Sequence, residues 1–581
     1  LQAVLTGPRR LWADHPVRRV RSAGWHLVVS GTCAAPTDEL TRILERIVEG
    51  REAIEAVTGL GGSYHAILDD GSALIVAGDL AGLRPVFTTS IGASHLFAST
   101  PYGLTGPAEA GLDADFLAAR LLCPDAVELL EHSTAFTGIS RVPQDAVLRC
   151  TPEGMTVIKR RPLVVQAGYA GGPALRSALT AAVAARLTGP VSTDLSGGLD
   201  STSLTLLAAQ HGARDLLAVT YLDPLAGGDE DVAFAREAGA LLRGGQHVIV
   251  EGGADSMPYT GIEHADPLVF DEPSQEVLLA ERTRIRLAPA RGRTAHLGGD
   301  GGDAVLTGPL TYLVELARHH RYRALIRETT GWARLRQRPA TALARSVLRH
   351  ARSSYARELT GCAVLLERSG PLPPGTWHRP GIEANLAWCR LSPASAWSTS
   401  HAARRLADRL HALAQQAPVL DADGMALRTI RRHADLTRQT QRLVSTWGVT
   451  LHAPFLDDAV VTACTRVPVI ERTSVTTAKP LLGAALTGLV PAQVLERRSK
   501  GDYSASEYAG LRAAGPYLRR VMAAPRLADL GLIEPSRIQP MLDAAIAGTA
   551  SPLGALGDMI AAELWLRAEP ATAAHPWKKV R

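Results

Sequence analysis

The stretch "VSTDLSGGLDSTSL", Val191 to Leu204, decides how the chain is read. A short β-branched run ends in two glycines, and a helix-like run follows an Asp-Ser pair. Two glycines permit turn conformations barred to other residues, so successive N–H groups can point inward. Ser196 and Ser201 add hydroxyl donors, and the run Thr202 to Ala209 predicts a helix whose N-terminus faces the same spot. Phosphate suits such a pocket. Gly-Gly alone favours a plain strand-to-helix turn, but Asp200 shifts the balance. A carboxylate beside an anion cradle is costly unless a cation lies between them, which points to Mg²⁺ bridging Asp200 to phosphate oxygens. The GxxxxGK[ST] loop is absent, which argues against an ordinary P-loop NTPase.

Working outward, strands and helices alternate: "PVSTDL", a helix, "LLAVTYL", the helix "DEDVAFAREAGALL", "QHVIVEG", the helix "SQEVLLAERTRIRLA", then "RTAHLGG". This period predicts a parallel sheet with crossover helices, whose ligands sit at the carboxyl ends of the strands. The turn Ser196 to Ser201 is at such an end. So is "GGDGGDAVL", Gly298 to Leu306, with Asp300 and Asp303. Residues 24 to about 160 read instead as antiparallel strands and hairpins, with "DDG" and "PEG" as turns. Helices are expected there at Thr37 to Glu49 and Ala114 to Leu122. A linker near Gly168 precedes a helix Pro173 to Arg186, and beyond 310 the chain reads as mostly helical.

Across 581 residues, 46% hydrophobic and 20% charged content is ordinary globular composition, enough for two or more domains. With 62 basic against 57 acidic residues, the surface is mixed, and no nucleic-acid partner is expected. Six cysteines, at 33, 123, 150, 362, 389 and 464, never form CxxC, which disfavours a zinc site and a disulfide scaffold and fits a reducing compartment. No run approaches the ~18 apolar residues needed to span a bilayer. A cytoplasmic location with no membrane partner is the expectation.

Taken together, "LSGGLDSTSL" resembles the pyrophosphate loop of the adenine-nucleotide α-hydrolases. With "LGGDGGDAVLTG", "WGVTLHAPFLDDAVV" and "KPLLGAALTGLVPAQVLERRSKGDYSASEY", the chain resembles the asparagine synthetase B superfamily over nearly its whole length. The resemblance implies an α+β then α/β architecture. Residues 1–167 would form a glutaminase-like, N-terminal-nucleophile domain of stacked β-sheets. Residues 168–581 would form an ATP-pyrophosphatase synthetase domain with a parallel sheet and a helical C-terminal extension.

Working glutaminases of this family use an N-terminal cysteine, whereas this sequence begins Leu1-Gln2, so the first domain is expected to be inactive. Relatives of that kind are amide-forming cyclases: β-lactam synthetases, carbapenam synthetases and lasso peptide macrolactam cyclases. The "GGDGGD" turn and the "HAPFLDD…KPLL…RRSKGD" run look most like the last. The activity implied is ATP- and Mg²⁺-dependent ring closure of a linear core peptide through its Asp or Glu side chain. A leader peptidase and a leader-binding protein would belong to the same pathway. The alternatives are an asparagine synthetase, a β-lactam synthetase-like small-molecule cyclase, and a non-catalytic peptide-binding protein.

By the same resemblance, Ser196, Gly197, Gly198 and Ser201 grip pyrophosphate, Asp200 and Asp303 hold Mg²⁺, and Leu195, Val219 and Gly299 contact adenosine. Lys500, in "RRSKGDYS", stabilises the acyl-transfer transition state. Asp300 stands where β-lactam synthetases carry the tyrosine of a Tyr-Glu dyad and is grouped with Lys500 as a catalytic candidate, but no glutamate partner is evident in "ADLTRQTQRLVSTWG", so the base is left open. Simpler roles stay open at this point: a helix N-cap for Asp303, a turn residue for Asp300, a solvated lysine for Lys500. Trp377 and Trp388 either line a substrate cavity or pack in a helical core.

Overall fold

The computed structural model describes residues 2–6, 9–13, 17–49, 53–92, 94–223, 225, 229–369, 381–495 and 504–568. Strands β1 (Gln2–Thr6) and β2 (Arg9–Ala13) form a hairpin. There follow β3 (Val17–Ser22), β4 (Trp25–Cys33), β5 (Gly62–Asp69), β6 (Leu74–Ala77), β7 (Val86–Ile91), β8 (Ser94–Ala98), β9 (Ser140–Val142), β10 (Ala146–Thr151) and β11 (Gly154–Lys159). They make a six-stranded antiparallel sheet, β11-β10-β6-β5-β4-β3, and a three-stranded one, β8-β7-β9. Alternation along the strands explains the layering. Leu27 and Val29 of β4, with Tyr64, Ala66 and Leu68 of β5, bury one face against the helix Thr37–Val48. That helix offers Leu40, Ile43, Leu44 and Ile47, one helical stripe. The intervening Val28 and Ile67 face the other way and pack with Val86 and Val142 of the smaller sheet.

The second sheet is wholly parallel. Its strands are β12 (Val191–Asp194), β13 (Leu216–Leu222), β14 (Gln246–Glu251), β15 (Ala295–Leu297) and β16 (Leu451–His452), in the order β14-β13-β12-β15-β16. The order reverses between β12 and β15, the switch point of the sheet, and the segments leaving those two strands lie side by side there. The fifth strand lies in "WGVTLHAPFLDD" and carries too short a run to be read as a strand. The expected helix "SQEVLLAERTRIRLA" is a 3₁₀ segment, Gln275–Leu279, followed by an α-helix, Ala280–Arg286. The helix after the linker spans Gly171–Ala184.

Beyond residue 310 the fold is helical, and its core is continuous with part of the first region. Phe116, Leu117 and Leu121 of the helix Ala114–Leu122 are buried in one cluster with Leu359, Leu406, Leu556 and Trp565. Ion pairs reinforce the seam: Arg120 and Arg141 both reach the buried Glu272. Trp388 is fully buried in this helical core and donates from Nε1 to the His350 carbonyl, so it lines no substrate cavity. Trp377 lies outside the described residues. Among the described residues no helix is long and apolar enough to cross a membrane.

Candidate active site

The turn after β12 is a closed hydrogen-bonded unit. Ser201 Oγ accepts from the Ser196 N–H at 3.1 Å and lies 2.8 Å from Ser196 Oγ, which in turn accepts from the Gly198 N–H at 3.3 Å. Gly197 sits at φ +74°, where a side chain would be strained. The helix Leu199–Gln210 then starts at Gly198, so its first N–H groups and both hydroxyls converge on one side of the loop. Leu195 and Val219 form the floor: the Leu195 N–H donates to the Val219 carbonyl at 2.8 Å, and both side chains are buried.

The loop after β15 lies against this turn at contact distance, and its glycines are the reason it can. A Cβ on Gly302 would fall 2.4 Å from Asp200 Cγ, and one on Gly299 would fall 3.0 Å from the Ser201 nitrogen. Asp303 is the second residue of the helix Gly302–Leu306, and the cap position belongs to Gly301 at φ +81°. Its carboxylate turns towards Asp200. Between them stands Lys479, whose Nζ lies 2.6 Å from Asp303 Oδ1 and also pairs with Asp200 Oδ2. Burial works against the lysine's charge, but the two carboxylates outweigh it and hold its pKa above the usual range. Lys479 adopts the left-handed conformation, φ +47°, immediately before Pro480, a strained position for a non-glycine residue.

An ammonium bridging Asp200 and Asp303 shows that this pair accommodates a cation. Two carboxylates beside two serine hydroxyls are hard oxygen donors, a set that fits Mg²⁺. Lys479 is absent from the residues singled out in the sequence, although a signal exists: the chain contains five lysines, and this one precedes a helix-starting proline. Lys500 lies outside the described residues.

A second group of charges lies behind the loops. Asp194, at the end of β12, accepts from Arg286 at 2.8 and 2.9 Å and lies 3.3 Å from His296 Nε2. Burial opposes its ionisation, yet Arg286 and His296 bring its pKa down to about 2. Asp300, exposed as a residue, responds in the opposite direction: desolvation of its carboxyl by the surrounding loops and the Asp194 charge push it up, against the pull of Arg286, His296 and His433. Glu276, also within range of Asp300 and Arg286, is pushed up to about 7, chiefly by burial, with Thr440 hydrogen-bonded to it as the main opposing influence. The Asp300 charge adds to the rise at Glu276. Asp194, Glu276, Arg286 and His296 were not foreseen, because each is defined by partners distant in the chain.

A glycine- and serine-rich turn, a carboxylate pair bridged by an ammonium and the switch point of a parallel sheet thus stand together. The asparagine synthase family matches over residues 174–567, and the chain belongs to that family, whose members form amide bonds at the expense of ATP. No curated protein matches the chain. Among solved structures, the allosteric regulatory enzyme of purine biosynthesis is 15% identical, with a TM-score of 0.17, over 42% of this chain and 63% of that one. Glutamine phosphoribosylpyrophosphate amidotransferase from B. subtilis, complexed with ADP and GMP, is 14% identical at a TM-score of 0.17, over 50% of this chain and 60% of its own. The matches thus span less than two thirds of either solved chain, and overlays that weak add nothing to the geometry.

Proposed function

We propose that this protein closes a macrolactam ring on a linear, leaderless peptide, using ATP to activate an Asp or Glu side chain. The observation that carries the reading is the meeting of Ser196, Gly197, Gly198 and Ser201 with Asp200 and Asp303 at the sheet's switch point, in a member of an amide-forming family. A side-chain carboxylate oxygen attacks the α-phosphorus of ATP, the bond to the departing pyrophosphate breaks, and an acyl-adenylate forms. The peptide's α-amine then attacks the acyl carbon, AMP leaves, and the amine's proton passes to a base. Mg²⁺ held by Asp200 and Asp303 would neutralise charge on the phosphates. Ser196, Ser201 and the glycine N–H groups orient the leaving pyrophosphate, and Leu195, Val219 and Gly299 bound the adenosine end. An α-amine has a pKa of about 7.7–8.0, so a base of ordinary strength suffices; Asp300 fills that role. Lys500 supports the acyl-transfer transition state.

In this reading the amine is the substrate's own, so the antiparallel-sheet region is not a working glutaminase. It supplies packing: the Leu80 N–H donates to Asp458, and Glu128 and Glu131 pair with Arg428 and Arg431. A leader peptidase and a leader-binding protein would deliver the core peptide. The resemblance of "HAPFLDD…KPLL…RRSKGD" to lasso peptide cyclases favours a peptide over a small molecule.

The test is incubation of the full chain with ATP, Mg²⁺ and synthetic leaderless peptides carrying an internal Asp or Glu, following pyrophosphate and peptide mass. Loss of one water with AMP formation is expected. Asparagine from aspartate and ammonia, with no peptide turnover, would replace this reading by the asparagine synthetase one. Lys500→Met should leave adenylation intact and slow ring closure by about 10²–10³.

A further inference from the structure

Three of the six cysteines come together from distant parts of the chain. Cys123 follows the helix Ala114–Leu122, Cys362 lies within the helix Tyr355–Ser369, and Cys389 stands in the loop after Ile382–Leu386. Their Sγ atoms all lie within 4.8 Å of one another, and those of Cys123 and Cys389 are 3.7 Å apart. All three are buried, at 0%, 5% and 4% exposure. Because the three cysteines meet only on folding, no CxxC spacing announces them.

We propose that Cys123, Cys362 and Cys389 bind one zinc ion, a structural staple between the antiparallel-sheet region and the C-terminal helices. A Zn–S bond of about 2.3 Å at tetrahedral angles sets sulfurs about 3.8 Å apart, the separation Cys123 and Cys389 already have. A disulfide would need about 2.0 Å and would leave the third sulfur over. On binding, each thiol releases its proton to solvent, and the three thiolates supply three of the four tetrahedral ligands.

The corners are held without the metal. Glu358, one turn before Cys362, accepts from the backbone N–H groups of Trp388 and Cys389 and pairs with His350 at 2.7 Å. This ties the Cys389 loop to the Cys362 helix. Asp125, two residues after Cys123, pairs at 3.4 Å with Arg390, the neighbour of Cys389. The third corner is thereby tied to the second. Such supporting contacts fix ligand geometry in metal sites.

The experiment is elemental analysis of the full chain produced in zinc-supplemented medium, with thiol titration monitored by a zinc-sensitive dye. About one zinc per chain is expected, released as a mercurial reagent modifies the thiols. A variant with Cys123, Cys362 and Cys389 all replaced by alanine should lose the metal, and Cys464→Ala, a buried cysteine elsewhere, should retain it. Reconstitution with Co²⁺ should give thiolate-to-cobalt charge-transfer bands, a readout that does not require the variants to fold. Metal-free protein that takes up neither ion overturns the proposal. So does retention of zinc by the triple variant, or mass spectrometry showing two of the three cysteines joined as a disulfide.

Discussion

The two large sheets of this protein are built from similar residues, yet the candidate site stands on one of them. In the antiparallel sheet, several neighbouring strands are joined by tight hairpins such as Asp69–Ala73, where the Asp70 side chain accepts from the Ser72 and Ala73 N–H groups. Such a hairpin spends its polar groups on itself. In the parallel sheet every strand leaves by the same edge, and each connection begins there. Ser196, Ser201, Asp300 and Asp303 therefore come together although they belong to separate segments. Direction of travel, more than composition, separates the two.

The largest expected effect that would break this contrast is at Asp200. Asp200→Asn keeps the shape and removes half of the charge facing Lys479 and the proposed metal. Loss of several kcal/mol of charge stabilisation corresponds to roughly a 10³-fold fall in ATP–pyrophosphate exchange. Unchanged exchange in a folded variant would remove Asp200 from the site. Next comes Gly302→Ala, whose Cβ must displace Asp200. About 1–3 kcal/mol of destabilisation is expected from the overpacking, together with lost exchange, checked by denaturant unfolding beside the assay.

Glu276 sharpens the comparison through pH. Its pKa rises from the ordinary 4.5 to about 7 on folding, so the folded chain holds this proton more tightly than the unfolded one. Its contribution to stability is complete below pH 4.5 and is lost as pH climbs through 7. Glu276→Gln should flatten that slope in melting temperature between pH 4.5 and about 7, and shift the pH profile of ring closure. A variant whose melting curve tracks the parent at every pH would contradict the shift. The smallest effect on activity belongs to the hairpin. Gly71 lies at φ +86° with open space around its Cβ position, so Gly71→Ala should cost about 1–2 kcal/mol of strain and leave exchange untouched.

What the sequence discloses follows the reach of each interaction. The turn Ser196–Ser201 and the glycines of Gly298–Asp303 are local chemistry, so the loops and their place at strand ends are readable directly. The helix Thr37–Val48 is readable too, because its buried face repeats at helical period. Lys479 is legible only as a rare lysine. Its place between Asp200 and Asp303 depends on contacts some 180–280 residues apart in the chain. The same holds for Arg286 against Asp194, and for the three cysteines. The 3₁₀ start of Gln275–Leu279 escapes the pattern because hydrophobic spacing over five residues does not separate the two helix types.

Strand β16 carries a consequence in time. His296 pairs with Leu451 and Leu297 with His452, so the edge of the sheet beside the Gly298–Asp303 loop is supplied only after the intervening helices have been made. The Gly298 N–H donates to the His452 carbonyl at 2.9 Å, which anchors the first residue of that loop to this late strand. On the ribosome, the Ser196–Ser201 turn emerges long before the strand that steadies its companion. Contacts of such sequence separation are slow to form, since loop closure precedes any reward. A chain released before residue 451 would keep both glycine motifs and lack the anchor for one of them.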